Sequence, residues 1–131
     1  MTGIVIDAAA VVDLICGFPA ADPYRGVIEA ATSVAAPAHL DADVLSALAR
    51  LMRAGRLSRP QERVELLATF GARRWPLQPL ILPAWALLER IAARDALYVA
   101  LAASLDATLV TTDGRLRRAA RGLVAVAQPV E

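Results

Sequence analysis

The sequence contains no lysine: all fourteen basic residues are arginine, set against thirteen acidic ones for a formal net charge of +1. So even a balance argues against a broad polycationic footprint on nucleic acid. Arg73-Arg74 and the group Arg115, Arg117, Arg118 and Arg121 suit either local phosphate contacts or a solvated helix face. Cysteine occurs once, at Cys16, which excludes an internal disulfide. Within an apolar helical pattern that thiol reads as a small core residue, as expected in a reducing cytoplasm. No apolar run reaches the eighteen or so residues of a membrane span, and no basic stretch followed by an apolar core opens the chain. A soluble, cytoplasmic protein without a leader and with no membrane partner is therefore expected.

What is present is apolar. Of the 131 residues, 57% are hydrophobic and 21% charged. That length suits one domain, 1–131, and the apolar excess points to a face buried in an oligomer. Strand-like runs at 3–6, 33–36, about 74–78, 108–111 and 123–126 alternate with helical patterns, the signature of an α/β fold with a parallel sheet. Gly17-Phe18-Pro19 separates helices expected at 9–17 and 23–31, the second with Asp22 as its cap and Pro23 in first position. The core-facing stripe Leu40, Val44, Leu45, Leu48, Leu51 and Met52 predicts a helix over 39–54, closed by Gly55. Ser58-Arg59-Pro60-Gln61 resembles a capping box opening a helix to about Phe70. The prolines of Trp75-Pro76-Leu77-Gln78-Pro79 place any strand there at a sheet edge. One or two helices are expected within 83–104, and another over 113–120.

The acids stand at informative places. Asp7 ends the first strand, Asp113 follows the strand at 108–111, and Asp43 lies in the first turns of the long helix. Asp95 sits in Arg94-Asp95-Ala96-Leu97-Tyr98-Val99-Ala100-Leu101-Ala102, where hydrocarbon surrounds it and a bare carboxylate is costly. Asp7 and Asp113 also suit plain helix capping, and Asp43 a favourable charge at a helix N-terminus. In a parallel sheet, however, strand ends and helix starts converge on one edge. Four carboxylates meeting there repel one another, and an oxygen-only donor set relieves this best with Mg²⁺ or Mn²⁺. The lone His39, at a helix start, reads as a surface or capping residue more than as a general base.

Four stretches together resemble the PIN-domain ribonucleases, in particular the VapC toxins of bacterial toxin–antitoxin pairs. They are Ile4-Val5-Ile6-Asp7-Ala8, then Ala36-Pro37-Ala38-His39-Leu40-Asp41-Ala42-Asp43-Val44-Leu45-Ser46-Ala47-Leu48, then Asp95-Ala96-Leu97-Tyr98-Val99-Ala100-Leu101-Ala102, and last Leu109-Val110-Thr111-Thr112-Asp113-Gly114-Arg115-Leu116. The resemblance implies a three-layer α/β/α fold with a mainly parallel sheet of four to five strands. It implies Asp7, Asp95 and Asp113 as acids holding Mg²⁺ or Mn²⁺, with Asp43 where the family usually has Glu. It also implies Thr111 as the supporting hydroxyl and Arg115 as a phosphate-contacting or helix-stabilising arginine. The activity implied is RNA cleavage by an ion-activated water, with an RNA substrate, a cognate antitoxin that covers the site, and a homodimer. Three positions depart from the pattern: Asp43 is one methylene short, Ala9 replaces a small hydroxyl residue, and only Ile91-Ala92-Ala93-Arg94 separates the Leu87-Leu88-Glu89-Arg90 helix from Asp95. Those departures motivate a second reading, a degenerate PIN-like module that binds antitoxin or RNA without cutting. Other α/β families fit worse: a receiver needs a paired acid after its first strand and a lysine that this chain does not have, a haloacid-dehalogenase-like phosphatase needs a second Asp where Ala9 stands, and a dinucleotide site needs a glycine-rich turn where Asp7-Ala8-Ala9-Ala10 follows the first strand.

Overall fold

Ile4–Ile6 is too short and too uniformly apolar to sit anywhere but the middle of a sheet, and as strand β1 it is buried on both faces. The computed structural model describes residues 3–130. In it β1 is flanked by β2 (Val34–Pro37) and β4 (Thr108–Val110), with β3 (Arg73–Trp75) outside β2, all parallel, in the order β3-β2-β1-β4. Val5 pairs with Ala35 on one side and Leu109 on the other, and Ile6 pairs with Val110. This register brings the ends of β1 and β4 level, so the residues that follow them leave the sheet side by side.

Helices supply the crossovers that parallel pairing requires and flank the sheet in three layers. They are α1 (Ala8–Cys16), α2 (Arg25–Ala30), α3 (Leu40–Arg53), α4 (Pro60–Ala68), α5 (Ile81–Trp85), α6 (Ala93–Leu105) and α7 (Gly114–Ala120). The helices α1, α3 and α4 pack on one another, while α6 lies across β1, β2 and β4 with α5 against it. The core joins Ile4, Ile6, Val11, Leu40, Val44, Leu48, Tyr98, Leu101 and Leu109, all but fully buried, and Cys16 lies at its margin as a buried free thiol. No helix among the described residues is long and apolar enough to cross a membrane.

Gly17 closes α1 in the left-handed region at φ 70, and the Phe18 amide reaches back to the Asp13 carbonyl at 2.9 Å, as its sequence position predicts. Several local expectations are corrected. Pro23 does not start a helix; it lies inside a 3₁₀ turn over Pro19–Tyr24, and Asp22 pairs with Arg25 instead of capping. Ser58 does not cap α4, because Arg59 takes the cap position in a left-handed conformation at φ 50. The run at 123–126 forms isolated bridges, Leu109 with Val126 and Arg121 with Val124, and no full fifth strand. Within 83–104 the short connection does not fuse two helices, since α5 ends at Trp85 and hydrogen-bonded turns through Ile91 precede α6. The strand expected at 74–78 is Arg73–Trp75, and it does lie at the sheet edge that its following prolines require.

Candidate functional site

Asp7 leaves β1 and caps α1, its Oδ1 accepting from the Ala10 amide at 2.9 Å. Its Oδ2 accepts from the Thr111 hydroxyl at 2.5 Å. Thr111 is fully buried, one residue beyond β4, and its Oγ1 also accepts from the Asp113 amide at 3.0 Å. Asp113 in turn caps α7, its Oδ1 receiving the Arg115 amide at 2.9 Å and the Leu116 amide at 3.4 Å. Capping and convergence thus coexist: both carboxylates start helices, and one hydroxyl joins the Asp7 carboxylate to the Asp113 backbone amide.

Burial lifts the Asp7 carboxyl to about 7, because its charged form has lost its water. The bonds from Thr111 and Ala10 oppose that rise, and the charges of Asp95 and Asp113 add to it. Asp95, in the first turn of α6, is half-buried; desolvation and then the Asp113 charge push its carboxyl above the usual range, with His39 offsetting part. Asp7, Asp95 and Asp113 therefore share one electrostatic neighbourhood at the carboxyl edge of the sheet.

Asp43 is engaged elsewhere. Its Oδ1 is ion-paired with Arg94, its Oδ2 accepts from the Tyr98 hydroxyl at 3.0 Å, and His39 Nε2 stands 3.4 Å away. His39 Nε2 also lies 3.1 Å from the Arg94 carbonyl, so both of its neighbours are acceptors and this nitrogen carries the ring proton. Burial lowers the imidazole pKa, which weakens an ion pair with Asp43 across that 3.4 Å. The His39 ring leans on Tyr98 at 4.8 Å between centroids, and its side chain makes no helix cap, which corrects the surface or capping reading.

An open cleft of about 920 Å³ is lined by Ala8, Ala9, Phe18, Asp43, Arg50, Arg94 and Asp95 among others. On its donor chemistry the trio Asp7, Asp95 and Asp113 fits a hard divalent cation: oxygen only, mutually repulsive, one member buried. Asp43 does not fit as it stands, because both its oxygens are taken. Among the described residues no three acidic, histidine or cysteine groups are placed to hold an ion together. Of the arginines, Arg74 is spent on Asp41 at 2.8 Å, while Arg73 is exposed and stacks over Trp75. Arg117 bonds the Tyr24 hydroxyl at 2.7 Å. Arg115, Arg118 and Arg121, on or just after α7, have no acidic partner among the described residues, and all three are exposed beyond Asp113.

Sequence reading missed Arg94 and Tyr98. The signal was there: Arg94 and Tyr98 are four apart on one helix, so they share a face, and that face meets the start of α3.

A family profile described as PIN domain matches residues 4–122. "Ribonuclease VapC3" of Mycobacterium tuberculosis is 40% identical over 118 residues, covering 88% of this chain and 86% of that protein. "Ribonuclease VapC1" of the same organism is 43% identical over 119 residues, covering 88% and 89%. Among solved structures, a toxin-antitoxin complex from Klebsiella pneumoniae superposes with a TM-score of 0.65 at 17% identity, covering 98% of each chain, which speaks to the fold alone.

Proposed function

The chain belongs to the PIN-domain family, and on that premise we propose that it is a VapC-type toxin: a ribonuclease dependent on Mg²⁺ or Mn²⁺ and held in check by a cognate antitoxin. The observation that carries this reading is Asp7, a carboxyl raised to about 7 chiefly by burial and further by the charges of Asp95 and Asp113 at the same sheet edge. Such a cluster is stabilised by a cation and by little else. Asp7, Asp95 and Asp113 would hold the ion, with Asp43 as the fourth acid. When bound, the ion supplies charge neutralisation at a phosphodiester and a lowered pKa for water. Thr111 fixes the rotamer of Asp7 and so orients the lone pairs left for the ion. Arg115, exposed and two residues after Asp113, would contact a phosphate oxygen, with Arg118 and Arg121 adding positive charge beyond it. RNA and the antitoxin are the partners this implies, within the cytoplasm.

A specific observation favours a second reading, that of a PIN-like module which binds RNA or antitoxin without cutting. Among the described residues no three donors are assembled to hold an ion, and Arg94 already satisfies Asp43. On the placement of side chains alone this second reading is the better supported; family membership favours the first. Incubation of the purified chain with RNA separates them. Cleavage with Mg²⁺ or Mn²⁺ that EDTA abolishes is expected; retained RNA or antitoxin binding with no cleavage at any ion concentration would establish the silent module.

The expected homodimer has a surface to use. On α5, Ile81, Leu82 and Trp85 are 55%, 79% and 72% exposed, an apolar face that water disfavours. Leu82→Glu with Trp85→Glu is expected to convert a dimer to a monomer in light scattering, weakening association at least about a hundredfold because two charges would be desolvated at the contact. A dimer that survives both changes places the interface elsewhere.

A further inference from the structure

Arg94 and Asp43 meet across the cleft from α6 and α3, and the pair is lopsided. The Asp43 side chain is 13% exposed and is also bonded by Tyr98, whereas the Arg94 side chain is 66% exposed and has no other acidic partner among the described residues. A carboxylate so enclosed needs a countercharge at all times. An exposed guanidinium loses little by leaving, because water replaces what it held. Both residues line the cleft together with Asp95, so an exchange of cations at Asp43 would occur inside the site.

We propose that Arg94 is an exchangeable internal countercation: it holds the Asp43 carboxylate in the free chain and surrenders it to a divalent cation, swinging out into solvent. The inference rests on the nuclease reading above and deepens it. Arg94 becomes a positioning residue acting through Asp43, and Asp43 a latent ligand whose release completes the acid set. Tyr98 keeps its bond to Oδ2 throughout, so the carboxylate stays oriented while its other oxygen changes partner. His39 and Tyr98, the other titratable groups against Asp43, both approach Oδ2, the oxygen that Arg94 does not hold.

Mn²⁺ titration followed by electron paramagnetic resonance tests this on the full chain, comparing wild type with Arg94→Gln, Asp43→Asn and the double variant. Arg94→Gln is expected to bind Mn²⁺ about tenfold more tightly than wild type, the effect of removing one competing charge from a half-shielded pair. The gain must vanish in the double variant, where a generally more negative cleft would keep it. Equal or weaker binding by Arg94→Gln, or a gain that persists without Asp43, overturns the proposal, and if wild type still binds Mn²⁺ and cuts RNA the nuclease reading stands. Silence from wild type and all variants overturns both. Thermal melts accompany each titration, and should Arg94→Gln unfold, Arg94→Ala is titrated against the same criteria.

Discussion

Asp7→Asn is expected to act in two opposite directions, abolishing ion-dependent RNA cleavage while raising thermal stability at pH 8. On the proposed reading, loss of the most buried acid of the trio would remove a ligand and the charge that attracts the ion, for a loss of at least about a hundredfold in rate. The stability gain follows from linkage. The folded carboxyl ionises at about 7, whereas in the unfolded chain it ionises at its ordinary 3.8. Between those two values the folded state holds a proton that the unfolded state has released, so stability falls as pH rises through that window, and above it the full penalty of a buried charge is present. Asparagine is neutral at every pH and escapes the penalty. Its Oδ1 keeps the Ala10 amide and its Nδ2 donates to Thr111 Oγ1, at the cost of a displaced hydroxyl proton. A net gain on the order of 1–3 kcal/mol above pH 7, shrinking toward pH 4, is the expected result. Melting curves at pH 8 and pH 4.5 beside a cleavage assay read both effects; a variant destabilised equally at both pH values would show that Asp7 carries no such penalty.

Arg63→Ala is expected to lower stability by about 2–4 kcal/mol without touching the acids. Arg63 is 9% exposed, and its guanidinium donates to the Ile15 carbonyl at 3.0 Å, the Ser58 carbonyl at 3.2 Å and the Ser58 hydroxyl at 3.3 Å. No acid is ion-paired with it among the described residues; the carbonyl-rich end of α1 supplies the negative potential that makes its burial tolerable. Truncation leaves the Ile15 carbonyl without that donor and loosens α4 from α1, the helix that carries the wall of the cleft. Urea unfolding should show a lower midpoint with an unchanged slope. Arg63→Lys is expected to restore less than half of the loss, since one ammonium cannot span acceptors on two segments. Cleavage per folded molecule should remain as in wild type.

Elements that are self-consistent over a short span were legible in the sequence. Ile4-Val5-Ile6 is apolar without alternation, which only a doubly covered strand tolerates, and the stripe from Leu40 to Leu51 has the period of a helix. Gly17 and the prolines after Trp75 act through local sterics, so their meaning survives folding. Where several local solutions compete, tertiary contacts decided. Asp22 next to Pro23 makes a good helix start in isolation, yet the chain from Pro19 onward tightens into 3₁₀ geometry that buries Ala21 and Tyr24. Ser58 is drawn from capping by Arg63, a partner it gains only when α4 meets α1. The run at 123–126 has strand composition but meets β4 for too short a length to form a ladder.

The candidate site divides in the same way. Asp7, Thr111 and Asp113 follow two strands whose pairing is implied by their apolar runs, so their union was expected from topology. The diversion of Asp43 was not, because it depends on a guanidinium 51 residues away reaching over from the next layer. Of the three departures weighed in the sequence, the missing methylene at Asp43 therefore matters less than which cation that carboxylate already holds.

Beyond β4, the Ala125 carbonyl receives the Leu109 amide at 2.8 Å and the Ala127 amide reaches the Leu109 carbonyl at 2.9 Å, so a single pair of bonds closes that margin. At the opposite margin, β3 is three residues long and runs into Pro76, whose ring nitrogen has no hydrogen to offer. A sequence this rich in Ala, Val and Leu thus exposes no extended bare strand among the described residues. Crowded copies of it will adhere through side chains, and reversibly, in preference to growing strand upon strand into fibrils.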